Sequence, residues 1–157
     1  MSPTDKNIHQ ILVKEFQCES GEHVEILEQS FLSFEKNDGN GEKTIREAFR
    51  AIHSLKGSAA CLGFRNIAEV AHRMEHLMSQ VREKKLVPDG ALIDLMLRGV
   101  DKLRFLLGDL AGSDKKDCGE ICKQLENFVV AKVEKPVQKA ESKADCAIAG
   151  QAIPDES

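Results

Sequence analysis

The chain has 157 residues, 41% of them hydrophobic and 31% charged, with only four prolines. That is enough for one modest core, and it suits a soluble helical protein better than a β-sandwich with its repeated turns. The net charge of −4, with no basic cluster interleaved with aromatics, argues against nucleic-acid binding. The polar start MSPTDKNIHQ lacks the apolar centre of a signal peptide and no apolar run is long enough to span a bilayer, so a cytoplasmic location without membrane insertion is expected.

Residues 1–7 read as a flexible N-terminus. From about Ile8 to Phe34, Val13, Phe16, Ser20, Val24, Leu27, Phe31 and Phe34 recur at steps of three and four, which predicts one helix. Gly21 within it costs ~1 kcal/mol relative to Ala. EKNDGNGEK then predicts a loop. A second helix, from about Glu42 to Leu62, carries Ile45, Ala48, Phe49, Ile52, Leu55 and Ala59 on one face and stops at Gly63.

In the third helix Asn66 and Glu69 have the spacing of a capping box, followed by the apolar stripe Ile67, Val70, Ala71, Met74, Leu77, Met78 and Val81. Pro88 and Asp89 open a fourth helix that runs through Leu92, Leu95, Met96, Val100, Leu103, Leu106, Leu107 and Leu110. A shorter fifth, around Cys118 to Ala131, places Ile121, Leu125, Phe128 and Val129 on one side. No segment alternates with the period of a strand. The expectation is an all-α protein: an antiparallel four-helix bundle over residues 8–131, with the fifth helix packed outside. Residues 132–157 are poor in large apolar side chains and are expected to be a flexible linker or tail. Its abrupt stop suggests a piece of a longer protein, although a natural disordered tail looks the same.

Five scattered cysteines without a CxxC pair indicate neither a disulfide framework nor a zinc ribbon. The second helix has one discordant residue. His53 lies roughly 120° from the centre of the stripe that Ile52 and Ala59 mark, and Glu75 is displaced by a similar angle, roughly 110°, from the stripe of the third helix. Two neighbouring antiparallel helices could bring these boundary residues together at the rim of their shared core. A carboxylate that holds one imidazole N–H fixes the tautomer and leaves the other nitrogen as a nucleophile. Lys56, at i+3, can pair with an anion acquired by His53. Gly57, at i+4, leaves the adjacent surface bare for another protein.

His53-Ser54-Leu55-Lys56-Gly57, then Gly63-Phe64, then His72-Arg73-Met74-Glu75, resemble the histidine phosphotransfer (HPt) family. Within it the chain is most similar to the N-terminal phosphotransfer domains of CheA-type chemotaxis kinases, over about Ile11 to Leu110. Ser58 stands where those domains often have a second glycine. The resemblance implies that His53 is the phosphoacceptor, Glu75 its hydrogen-bond partner, and Lys56 and His72 the polar residues around it, with Gly57 the family glycine. It further implies that a kinase ATP-binding domain, holding ATP and Mg, phosphorylates His53, and that a CheY- or CheB-like response regulator takes the phosphoryl group onto an aspartate. The chain carries no Gly-rich phosphate loop. It is therefore expected to be no enzyme on its own, to bind no cofactor or metal, and to be a fragment of a CheA-type kinase.

Two other readings stand beside this one. His72-Arg73-Met74-Glu75-His76 spells the HxxEH pattern of inverted zinc proteases, which would need a third protein ligand and a cleft. A plain helical adaptor would have the same core and be indifferent to the His53 imidazole.

Overall fold

The computed structural model describes residues 2–36 and 41–129. Helix α1 runs Pro3–Lys36, α2 Gly41–Leu62, α3 Arg65–Arg82 and α4 Gly90–Leu107. A 3₁₀ turn follows at Leu110–Lys115, and residues 119–129 are helical. The chain divides into two compact units, Met1–Leu125 and Glu126–Ser157. The first holds the bundle. Residues 126–129 are the described part of the second, and the tail expected from residue 132 lies outside the described residues.

Helix α2 packs against α1 and α3, and α4 against α3 and α1, so α1 and α3, like α2 and α4, face each other across the diagonal of a four-helix arrangement. The predicted stripes are what fill it. All seven stripe residues of α3, from Ile67 to Val81, are buried, and Ala48, Ile52, Leu55 and Ala59 of α2 meet them with at most marginal exposure. Each buried Leu or Ile contributes about 1.5–3 kcal/mol over its exposed state. Gly99 of α4 permits close packing on α3: a Cβ there would lie 2.8 Å from Met74 Sδ. Ile121 and Leu125 are buried and Arg98 of α4 donates to Gln124 at 2.9 Å, which seats the start of the fifth helix on the outside of the bundle.

Helix ends differ from expectation where local polar chemistry decides them. Helix α1 begins at Pro3 rather than Ile8, so most of the expected flexible N-terminus is helical. The cause is a reciprocal cap: the Ser2 hydroxyl accepts from the Asp5 N–H at 3.2 Å, and Asp5 Oδ2 accepts from the Ser2 hydroxyl at 2.8 Å. Proline then suits the first helical position because its missing N–H is not needed there. At the end of α2, Gly63 adopts φ 85°, as the stop at that residue requires. The Phe64 N–H reaches the Ala59 carbonyl at 2.9 Å and the Gly63 N–H the Ala60 carbonyl at 3.2 Å, a Schellman closure.

That tight turn lets α3 start at Arg65, which removes Asn66 from the cap position expected for it. Phe64 is at the N-cap and supplies no side-chain hydrogen bond. Glu69 pairs instead with Arg73 at 2.7 Å. The Asn66 carboxamide donates to the carbonyls of Ser113 and Lys116 at 2.9 and 2.8 Å, while Asp114 Oδ1 accepts from the Asn66 N–H at 3.0 Å. Residues of the 3₁₀ turn, with Lys116 just after it, thus complete the start of α3. Asp89 caps α4 through the Leu92 N–H at 3.0 Å, as its position predicts. Helix α4 ends at Leu107 instead of Leu110, with Gly108 as its C-cap and Asp109 turning the chain into the 3₁₀ segment.

Candidate functional site

His53 sits in the second half of α2, one residue from the fully buried Ile52, and its side chain is 64% exposed. Because α3 returns antiparallel from the Gly63 turn, Glu75 faces His53, and both occupy the edge of the α2–α3 seam. Glu75 Oε2 is hydrogen-bonded to His53 Nδ1. Its other oxygen, Oε1, accepts from Lys56 Nζ at 2.5 Å. The Glu75 side chain is only 12% exposed and that of Lys56 28%. The carboxylate is therefore anchored in the seam while the imidazole projects outward.

Burial alone would push the Glu75 carboxyl up, but the hydrogen bonds from Lys56 and His53, with their charges, outweigh it and hold the group below its ordinary 4.5. An ionised Glu75 can only accept. Its bond to Nδ1 therefore requires the proton there and leaves the lone pair on Nε2, away from the anchoring carboxylate. An exposed, oriented nitrogen with a lone pair is a nucleophile, and a carboxylate behind it supports the positive charge that develops as a bond forms at Nε2.

Gly57 is exposed and a Cβ built on it would meet nothing within 4 Å. No packing inside the fold requires glycine there; its bareness extends a smooth surface beside His53. His72, expected among the surrounding polar residues, is exposed on α3 and makes no hydrogen bond or ion pair among the described residues, so the structure does not bring it into the Glu75 network. The HxxEH spelling does not translate into a zinc site among the described residues. Glu75 is committed to His53 and Lys56, His76 is exposed, and no group of three potential ligands is assembled.

The apolar spacing of α2 predicts Phe49 on its core face; the ring is instead half-buried and stacks on the His53 imidazole, ring centroids 6.2 Å apart and planes 8° from parallel. Arg82, in the last turn of α3, lies over the Phe49 ring with its guanidinium carbon 4.0 Å from the centroid. The i−4 spacing of Phe49 from His53 was the available signal, since residues one turn apart share a helix face. Nothing local announced Arg82.

A family model described as the Hpt domain matches residues 11–106. The chain is 32% identical over 122 residues to the chemotaxis protein CheA of Treponema pallidum (strain Nichols), an overlap that covers 76% of this chain and 15% of that protein. It is 34% identical over 140 residues to CheA of Rhizobium meliloti (strain 1021), covering 87% of this chain and 18% of the relative. The fold matches that of the phosphorylated P1 domain of CheA3 in its crystal structure in complex with CheY6 from R. sphaeroides, with a TM-score of 0.69 and 23% identity, covering 76% of this chain and 96% of that one. The chain thus spans less than a fifth of the length of these two curated relatives.

Proposed function

The chain belongs to the Hpt domain family, and from that premise we propose that it is the phosphotransfer module of a CheA-type chemotaxis kinase, with His53 as phosphoacceptor. The observation that carries this reading is the Glu75–His53 pair, which presents Nε2 of an exposed imidazole as the free nucleophile. A kinase ATP-binding domain supplies the γ-phosphoryl group. The Nε2 lone pair forms the N–P bond as the bond from phosphorus to the ADP oxygen breaks, and the imidazole ring takes up positive charge. Glu75 offsets that charge through the proton on Nδ1, and Lys56, one turn along α2, pairs with the phosphoryl oxygens.

In the second half of the relay a response-regulator aspartate attacks phosphorus, and the N–P electron pair returns to Nε2. Imidazole leaves as a neutral ring that still carries its Nδ1 proton, so the acceptor is regenerated in the tautomer it started from. The CheA relatives support a kinase partner, and the phosphorylated structural neighbour in complex with CheY6 supports a CheY-like regulator as recipient. No described helix is long and apolar enough to cross a membrane, which fits a module working in the cytoplasm.

The experiment is incubation with radiolabelled ATP, with and without a CheA-type catalytic domain. Expected is no label with ATP alone and one acid-labile, base-stable phosphate with the kinase, absent from His53→Gln. Label that persists in His53→Gln would overturn the assignment.

A further inference from the structure

Glu75 fixes one atom of the imidazole. A ring held through Nδ1 alone can still swing about that hydrogen bond, and each swing carries Nε2 through an arc. With a side chain 64% exposed, His53 has little packing around it to stop this motion. The parallel contact with Phe49 is the second constraint. Its ring, one turn away on the same helix, sets the plane of the imidazole. Phe49 is itself held from the other helix, because Arg82 of α3 lies over its ring. Arg82 has no carboxylate partner among the described residues, and its side chain is exposed. The aromatic ring is thus the defined contact of its charge.

We propose that Phe49, backed by Arg82, is a positioning residue for the nucleophile: Glu75 selects the nitrogen and the Phe49 ring aims it. The inference rests on His53 being the phosphoacceptor. Centroid separation and near-parallel planes fall within the range in which aromatic pairs attract beyond simple area burial. A cation over the ring adds attraction at an exposed site without needing a buried charge. Phe49 touches neither donor nor recipient in this scheme. It acts through His53, so its loss should lower the rate of the phosphoryl step without weakening partner binding.

The test uses the whole chain with a CheA-type catalytic domain and two substitutions. Phe49→Leu keeps an apolar side chain in the half-buried position and removes the ring; Phe49→Tyr keeps the ring. Phe49→Leu should lower kcat for His53 phosphorylation about three- to tenfold, the rate equivalent of one aromatic pair, with KM unmoved. Phe49→Tyr should restore the wild-type rate. The ring-proton resonances of His53 should move in Phe49→Leu, where the neighbouring ring current is gone, and stay in place in Phe49→Tyr. Equal rates for the two variants would overturn the proposal, as would His53 ring resonances in Phe49→Leu that coincide with wild type. The resonances need no kinase, so a chain that accepted no phosphate would sink the phosphoacceptor reading while the stack was still judged by its spectrum.

Discussion

Replacing Glu75 with alanine should separate reactivity from stability. The carboxylate makes two hydrogen bonds, to His53 and to Lys56, but the His53 side chain is 64% exposed and that of Lys56 28%, and both can turn to water when the carboxylate is gone. Pairs of this exposure contribute about 0–1 kcal/mol each, so the fold should lose about 1 kcal/mol. A domain stable by roughly 5–15 kcal/mol remains almost wholly folded after such a loss. The phosphorylation rate should fall much further. A hydrogen bond to a charged group, strengthened as the imidazole becomes cationic, is worth about 1.5–3 kcal/mol, which corresponds to roughly a ten- to hundredfold decrease. Lys56→Ala should also slow the reaction, yet leave the Nδ1–H tautomer of His53 in place. The assay is single-turnover phosphorylation by a CheA-type catalytic domain beside a thermal melt of each variant. Wild-type kinetics in Glu75→Ala, or a rate loss that merely tracks the unfolded fraction, would rule out a role for the carboxylate in the phosphoryl step.

Since the native Glu75 carboxyl titrates below its ordinary 4.5, the unfolded state binds more protons in that window. Its stabilisation is therefore present above the unfolded value and disappears as pH falls through the native one; the difference in melting midpoint between wild type and Glu75→Ala should close on acidification below about pH 5. A gap that widens below that pH would contradict this. In Gly99→Ala the gain in helix propensity, about 1 kcal/mol, opposes overpacking against the fully buried Met74, about 1–3 kcal/mol. The expected net loss, up to about 2 kcal/mol, is read from denaturant melts. Asn66→Ala removes the hydrogen bonds to the carbonyls of Ser113 and Lys116 and should cost about 1–2 kcal/mol in the same melts, with the phosphorylation rate unchanged.

What was legible in the sequence was the repetitive part. The α3 stripe from Ile67 to Val81 is buried residue for residue, because a helix face repeats its apolar positions whatever it packs against. His53 and Glu75 could be paired in advance because both depart from their stripes by a similar angle and Gly63 announces the turn that makes their helices antiparallel. Single polar groups were harder. Asn66 has the spelling of a cap, yet its carboxamide is spent on Ser113 and Lys116, far along the chain, and no local pattern reports that choice. The Ser2 and Asp5 cap stands ahead of the apolar stripe, in a stretch whose polar residues carry no helical periodicity of their own. Phe49 looked like core by its spacing; only the return of α3 places Arg82 over its ring and shows that it serves the seam's edge. Gly99 similarly acquires its meaning from Met74 on another helix.

If Glu75 keeps the proton on Nδ1, Nε2 of His53 is the reacting atom. That assignment is tested most directly by long-range proton–nitrogen NMR of the His53 ring before and after enzymatic phosphorylation, with phosphorus coupling used to identify the bonded nitrogen. Expected are a protonated Nδ1 in the resting protein and phosphorus on Nε2 in the product. Phosphorus on Nδ1, or a resting ring whose neutral form carries its proton on Nε2, would contradict the assignment.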